Sequence, residues 1–89
     1  MVYSINDILV CKQTVNAKCL EMTNPDFNIE AGEKYIVTDR DDYPDGNHCY
    51  WYELTSEKDH SIVLNAWNDR DHMILDDRFE KFSEVNYDL

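Results

Sequence analysis

Residues 48–67, HCYWYELTSEKDHSIVLNAW, decide the fold of this chain. His48 to Leu54 is rich in aromatic residues and predicts a strand, and Ser61 to Trp67 predicts a second strand. The polar residues Thr55 to Asp59 lie between them and predict a hairpin loop. Two strands joined by a short polar loop are expected to pair antiparallel.

The first strand of this hairpin is bulky on both faces. Alternation places Cys49, Trp51 and Glu53 on one face, and Tyr50, Tyr52 and Leu54 on the other. A strand with large side chains on both faces is expected inside a sheet and not at its edge.

Further strands are expected before this hairpin. Ile8 to Cys11 and Lys34 to Thr38 are apolar or β-branched runs that follow turn residues. Residues 12–28 predict either another short strand or an irregular loop. Asp39 to Asn47 contains four aspartates, Pro44 and Gly46, and predicts a loop.

The C-terminal part predicts little regular structure. Asn68 to Asp71 predicts an acidic turn. Asp76 and Asp77 are expected to cap a brief helical turn that carries Phe79 and Phe82 on one side. Val85 to Tyr87 predicts an edge strand or a frayed end.

The length and the pattern together predict one domain over residues 1–89. The chain is 43% hydrophobic and 12% aromatic, which is typical of a folded domain and not of a disordered acidic tail. No long window has helical periodicity. The fold class is therefore mainly β: a small Src-homology-3-like barrel or a rolled antiparallel sheet of about five strands, with a short helical turn near the C-terminus.

Three segments carry a resemblance to a known fold family. They are Asn6 to Lys12, Ile29 to Val37 and Asp77 to Phe82. Their order resembles that of the small Src-homology-3-like barrels of short bacterial and phage proteins. In such barrels the Gly-Glu-Lys-Tyr type of segment is a turn that enters a strand, and the terminal Phe-containing turn plugs one barrel end. This resemblance implies a fold and not a function, because the fold hosts many binding tasks.

The charge is strongly acidic and uneven. Nineteen Asp and Glu residues oppose eight Lys and Arg residues, for a net charge of −11. Residues 1–35 carry five acids and three bases, a net of −2, and residues 36–89 carry fourteen acids and five bases, a net of −9. Such a field repels nucleic acids and anionic membranes, and it attracts a basic protein surface. We therefore expect a protein partner, with no direct nucleic-acid binding and no membrane.

The cysteines and the N-terminus predict the compartment. Cys11, Cys19 and Cys49 are an odd number without a CxxC pair, which argues against a disulfide framework. Residues 1–7 lack a signal-peptide pattern, and no apolar run is long enough to span a bilayer. We expect a cytoplasmic protein with reduced thiols, in the host cytoplasm if a phage encodes it. One disulfide beside one free thiol is the alternative.

Metal, cofactor and catalytic sites are not predicted. The loop from Asp39 lacks the glycine and the terminal Glu of a calcium loop, and a solvated acidic loop is the better interpretation. His48, His60 and His72 are too widely spaced for a zinc signature. The chain has two glycines and no phosphate loop, nucleophile elbow or HExxH motif, so we expect no enzyme and no cofactor.

Acids and aromatic residues provide the candidate partner-binding residues. The acids are expected in turns, where carboxylates gathered at one barrel end would imitate the spacing of phosphates. The alternative is that they only keep a small protein soluble. The aromatic residues Tyr43, Tyr50, Trp51, Tyr52 and Trp67 are expected to supply anchors or core rings. The predicted partner-binding residues are Asp39, Asp41, Asp42, Tyr43, Asp45, Trp51, Trp67, Asp69, Asp71, Asp76 and Asp77.

The leading functional hypothesis is that the chain is an acidic phage-type regulator that binds and inhibits a host protein. One version of this hypothesis is that it imitates the charge of a nucleic acid. The alternative is a small assembly or adaptor domain that acts through a sheet edge, for example as a homodimer. Direct nucleic-acid binding through a local basic or aromatic patch is a third hypothesis, and the net charge argues against it.

Overall fold

The computed structural model describes residues 2–42, 50–68 and 74–82. Its regular elements are β1 (Ile8–Cys11), β2 (Val15–Asn16), β3 (Asn28–Ile29), β4 (Lys34–Asp42), β5 (Tyr50–Ser56), β6 (Val63–Asn68), α1 (Ile74–Arg78) and β7 (Phe79–Lys81). A short 3-10 turn, Ala17–Cys19, follows β2. Tyr43, Asp45, Asp69, Asp71 and the expected strand at 85–87 lie outside the described residues, as do His48, Cys49 and His72.

Five strands form one antiparallel sheet in the order β6-β5-β4-β1-β7. The sheet curls into a half-barrel, and β2 and β3 form a separate two-stranded sheet. The mainly β prediction with one short helix near the C-terminus is therefore confirmed. The fold brings the last described strand beside the first, since β7 pairs with β1 through Cys11 and Phe79.

The central hairpin follows the predicted alternation. On β5, Tyr52 and Leu54 are fully buried, and their cross-strand partners Ala66 and Leu64 on β6 are buried as well. Trp51 lies on the opposite face. The strand continues further than expected, because Thr55 and Ser56 belong to β5 and not to the hairpin loop. The loop is residues 57–62.

Strand β4 is also longer than predicted. The sequence ends it at Thr38 and places Asp39, Asp41 and Asp42 in a loop, whereas the structure continues the strand through Asp42. Aspartate is generally depleted in β-strands. Here the pairing with β5 provides the hydrogen-bonding partners, since Asp39 to Asp42 are matched with Glu53 to Tyr50. The prediction of a loop for residues 39–42 was wrong.

The helical turn near the C-terminus lies earlier than expected. Asp76 and Asp77 are inside α1 and do not cap a following turn, because the helix already begins at Ile74. Phe79 begins β7, and Phe82 follows that strand. Phe79 is buried and contacts Tyr35 edge to face, with ring centroids 6.0 Å apart. Phe79 is thus part of the buried core.

Residues 12–28 are ordered and contribute to the core. Val15, Ala17 and Leu20 are buried with Ile29 under the curled sheet. The buried side chain of Asn24 ties this segment to β6. Its amide nitrogen donates to the carbonyls of Ala17 at 2.9 Å and Asn65 at 2.8 Å, and its amide oxygen accepts from the Asn65 N–H at 2.9 Å.

Candidate protein-binding face

A β-bulge in β4 decides which acids face outward. Val37 pairs with Leu54, and the next pair is Asp39 with Glu53, so Thr38 is an extra residue in β4. An extra residue reverses the alternation of the side chains that follow it. Asp39 and Asp41 consequently lie on the outer face of the sheet, whereas without the bulge they would point toward the core.

The outer face of β4, β5 and β6 carries two neighbouring rows of side chains. Asp41, Trp51 and Trp67 form the first row, since each is the cross-strand partner of the next. Asp39, Glu53 and Asn65 form the second row in the same way. Directly opposed residues share a face and have Cβ atoms about 4.5–5.5 Å apart. We call Asp39, Asp41, Trp51, Glu53 and Trp67 the acidic tryptophan face.

The side chains of this face are accessible, and β4 beyond the bulge, β5 and β6 place no base among them. Asp39 and Asp41 are exposed, and Trp51, Glu53 and Trp67 are partly exposed. Neither β5 nor β6 contains a Lys or Arg residue. Arg40, the only base in β4 beyond the bulge, pairs with the buried Tyr52 and therefore lies on the inner face.

Thr38 fixes the position of Glu53 within the face. The Thr38 hydroxyl lies 2.8 Å from Glu53 Oε1 and 3.0 Å from the Thr55 hydroxyl. The same residue that forms the bulge thus orients one of the acids that the bulge brings into place. The outer carboxylates are held by a strand and not by a loop tip.

The inner side of the same strands holds an arginine against an aromatic ring. The Arg40 guanidinium lies 5.7 Å from the centroid of the Tyr50 ring. It donates to both carboxylate oxygens of Asp42, from Nε at 2.9 Å and from Nη2 at 3.0 Å. Hydrogen bonding to Arg40 lowers the pKa of the Asp42 carboxyl. Asp42 is therefore paired within the molecule and does not join the outer face.

Asp76 is also used internally. Its carboxylate accepts hydrogen bonds from the Tyr3 hydroxyl at 2.5 Å and from the Asn68 amide at 3.2 Å. Partial burial favours the neutral acid, but the hydrogen bonds that the carboxylate accepts outweigh this and lower the pKa of Asp76. Asp76 thus joins the N-terminal segment to β6 and α1, while Asp77 is exposed on α1.

The predicted site residues therefore separate into groups. Asp39, Asp41, Trp51 and Trp67 come together, while Asp42, Asp76 and Asp77 lie elsewhere. The described acids of this set are in strands or in the helix, so their expected placement in turns was wrong. Glu53 was not among the predicted partner-binding residues, although simple alternation already placed it on the face of Trp51.

The described residues contain neither a metal-ligand cluster nor a helix that could span a membrane. Within 2–42, 50–68 and 74–82, no group of three His, Cys, Asp or Glu side chains is arranged to hold a metal ion. No helix in these ranges is long and apolar enough to cross a membrane. Cys11 is buried, Cys19 is exposed, and both are free thiols.

Comparison with known proteins gives no relative from which a role can be transferred. No protein-family model matches the chain, and no curated protein or solved structure matches it significantly. The functional argument therefore rests on the geometry of the acidic tryptophan face.

Proposed function

We propose that this chain is an acidic binding protein that docks on a basic surface of a partner protein through the acidic tryptophan face. The observation that carries the proposal is the placement of Trp51 and Trp67 side by side on an outer sheet face, next to Asp39, Asp41 and Glu53. Tryptophan is the residue most often found at energetic centres of interfaces, and peripheral charge accelerates the encounter.

Inhibition of a host protein by a phage-type regulator fits this surface. Asp39 and Asp41 are two residues apart on one strand, so their Cα atoms are about 6.6 Å apart. A row of carboxylates at such spacing resembles a row of phosphates, and a nucleic-acid-binding groove is a basic surface that would accept it. The net charge of −11 also attracts the chain to a basic surface.

The resemblance to small Src-homology-3-like barrels remains part of this proposal. A helical turn directly before the last strand and the pairing of that strand with the first support it. Free Cys11 and Cys19 thiols support action in a cytoplasm, where thiols remain reduced.

Action through a sheet edge, as an adaptor or a homodimer, has less support. β6 is an edge strand, and an unprotected edge would be available for pairing with a second chain. The Asn24 side-chain amide hydrogen-bonds to both the backbone N–H and the backbone C=O of Asn65, in the middle of that edge. A partner strand would have to displace it.

The test is capture from a bacterial lysate at low and moderate salt, with two charge-matched variants as baits. Asp39→Asn/Asp41→Asn removes two charges from the face, and Glu57→Gln/Asp77→Asn removes two exposed charges elsewhere. We expect one protein to be retained by the wild type and by the second variant, but not by the first. Adding the wild-type chain should then release that protein from nucleic acid in a gel-shift assay.

Equal retention by both variants would contradict the assignment of the face. If nothing is retained, a molar-mass measurement decides whether self-association takes the place of a partner. Binding of labelled DNA or RNA by the purified chain at low salt would instead support direct nucleic-acid binding.

A further inference from the structure

Both tryptophans of the chain lie in one cross-strand pair with carboxylates on two sides. The chain contains two Trp residues, and these are the partners Trp51 and Trp67. Asp41 is the partner of Trp51 on the adjoining strand, and Glu53 lies two residues further along β5 on the same face. This arrangement provides π-faces and hydrogen-bond acceptors at one place, which is what a planar cation requires.

The inner side of the same two strands shows such a combination with its cation in place. Arg40 lies over the Tyr50 ring, and Asp42 accepts two of its three side-chain hydrogen bonds, the third going to the Tyr3 carbonyl. There the ring comes from β5 and the carboxylate from β4. On the outer side Trp51 comes from β5 and Asp41 from β4, one residue away from Tyr50 and Asp42 in each strand. Among the residues that the structure describes, the outer side repeats the ring and the acid without an arginine.

No internal base fills the outer position within the described part of the chain. There, the cations that lie over rings are Lys34, over Phe82, and Arg40, over Tyr50. Neither of them contacts a tryptophan. A cation from outside the chain would therefore find the Trp51 and Trp67 rings accessible and the neighbouring acids able to accept hydrogen bonds.

We infer that the acidic tryptophan face binds arginine side chains of an exposed segment of the partner protein. The guanidinium stacks on the Trp51 or Trp67 ring and donates to Asp41, Asp39 or Glu53. Arginine suits this site better than lysine, because its planar group stacks on an aromatic ring and donates two parallel hydrogen bonds at once. The inference rests on the proposed function, and it adds the side chain that is recognised.

The test compares two synthetic peptides of equal length and charge. In one, arginine alternates with glycine, and in the other, lysine alternates with glycine. Since both tryptophans belong to the face, their fluorescence reports its occupancy directly. We expect the arginine peptide to change the emission and to bind at least about threefold more tightly than the lysine peptide.

Variants locate the binding to the face. Trp51→Leu and Trp67→Leu should each reduce the preference for arginine over lysine, and the double variant should bring it to near unity, as measured by calorimetry. Asp41→Asn is the variant that does not disturb packing, because Asp41 is exposed, and it should weaken binding of the arginine peptide several-fold. Glu57→Gln removes the same charge far from the face and should weaken it less.

The outcomes separate the two proposals. If both peptides bind equally and Trp51→Leu and Asp41→Asn change nothing, arginine recognition is overturned, while attraction to a basic partner stands. If neither peptide binds at low salt, both proposals fail. An unchanged tryptophan emission on saturation with the arginine peptide would also overturn the inference, because binding would then lie elsewhere.

Discussion

Asp76 illustrates that a carboxylate in an acidic chain can be a structural group. It accepts hydrogen bonds from Tyr3 and Asn68, and Asn68 Oδ1 in turn accepts from the backbone N–H groups of Leu75 and Asp76 at 2.8 and 3.3 Å. The Tyr3 side chain is almost fully buried, and burial followed by the bond to Asp76 raises the pKa of its hydroxyl. The N-terminal segment is thus attached to α1 through polar contacts.

The lowered pKa of Asp76 predicts a dependence of stability on pH. Its folded pKa lies below that of an unfolded Asp, about 3.9. Its contribution is therefore complete above that value and is lost as the pH falls through the folded pKa. We expect Asp76→Asn to be less stable than the wild type at pH 7, and this difference to shrink as the pH falls below about 4.

Urea unfolding at a series of pH values measures this difference. Asp77→Asn is the control, since Asp77 is exposed on the same helix, and it should change the free energy of unfolding by no more than about 0.5 kcal/mol. A stability difference for Asp76→Asn that is constant from pH 7 to pH 3 would show that its ionised form is not what stabilises the fold.

Loss of the neutral Asn24 side chain is expected to destabilise the fold more than loss of the Asp76 charge. Asn24→Ala removes three hydrogen bonds of a buried amide, to Ala17 and to both backbone groups of Asn65. We expect the free energy of unfolding to fall by about 2–4 kcal/mol. Asn28→Ala, at an exposed position of β3, is the matched control and should cost less than about 1 kcal/mol. A loss below that level for Asn24→Ala would indicate that water replaces the amide.

At the scale of elements, the bulge at Thr38 determines the character of the outer face. Insertion of one alanine between Asp39 and Arg40 would shift the register of the residues that follow, turning Asp41 toward the core and Arg40 outward. Burial of the Asp41 carboxylate without a partner is expected to lower the free energy of unfolding by at least about 2 kcal/mol. Thr38→Ala retains the bulge and loses the hydroxyl contacts, so about 1 kcal/mol or less is expected.

Denaturant unfolding of the two variants distinguishes the contribution of the strand register to stability from that of the Thr38 hydroxyl. If this insertion costs no more than Thr38→Ala, the outer part of β4 does not depend on this register, and the origin of the acidic tryptophan face would need another account.

The strands that the sequence predicted well are those with an uninterrupted pattern. Residues 51–54 and 64–67 alternate between buried and partly exposed side chains, and the alternation placed Trp51 and Glu53 on one face. The bulge was not predictable, because one extra residue leaves no signal of its own, and the aspartates after it favour a loop. Asn68 was expected in a turn, yet it ends β6 and is buried against α1, a contact that depends on the tertiary fold.

At the scale of the whole molecule, net charge and size together determine how the fold responds to salt. The radius of gyration is 12.9 Å. The screening length is about 30 Å at 0.01 M salt and about 8 Å at 0.15 M. At low salt, carboxylates on opposite sides of the molecule therefore repel one another, and this repulsion destabilises the compact state. At 0.15 M only near neighbours still interact.

Salt is therefore expected to change stability and binding in opposite directions. Raising NaCl from 0.01 to 0.15 M should increase the free energy of unfolding by about 1 kcal/mol, because repulsion is screened more than any attraction between exposed ion pairs. The same change should weaken binding to a basic partner or peptide. The variant Glu57→Lys/Asp77→Lys reduces the magnitude of the negative net charge at positions away from the face. Its free energy of unfolding should therefore rise less with added salt than that of the wild type. A wild-type stability that falls with salt would mean that ion pairs such as Arg40–Asp42 and Lys81–Asp7 outweigh the repulsion.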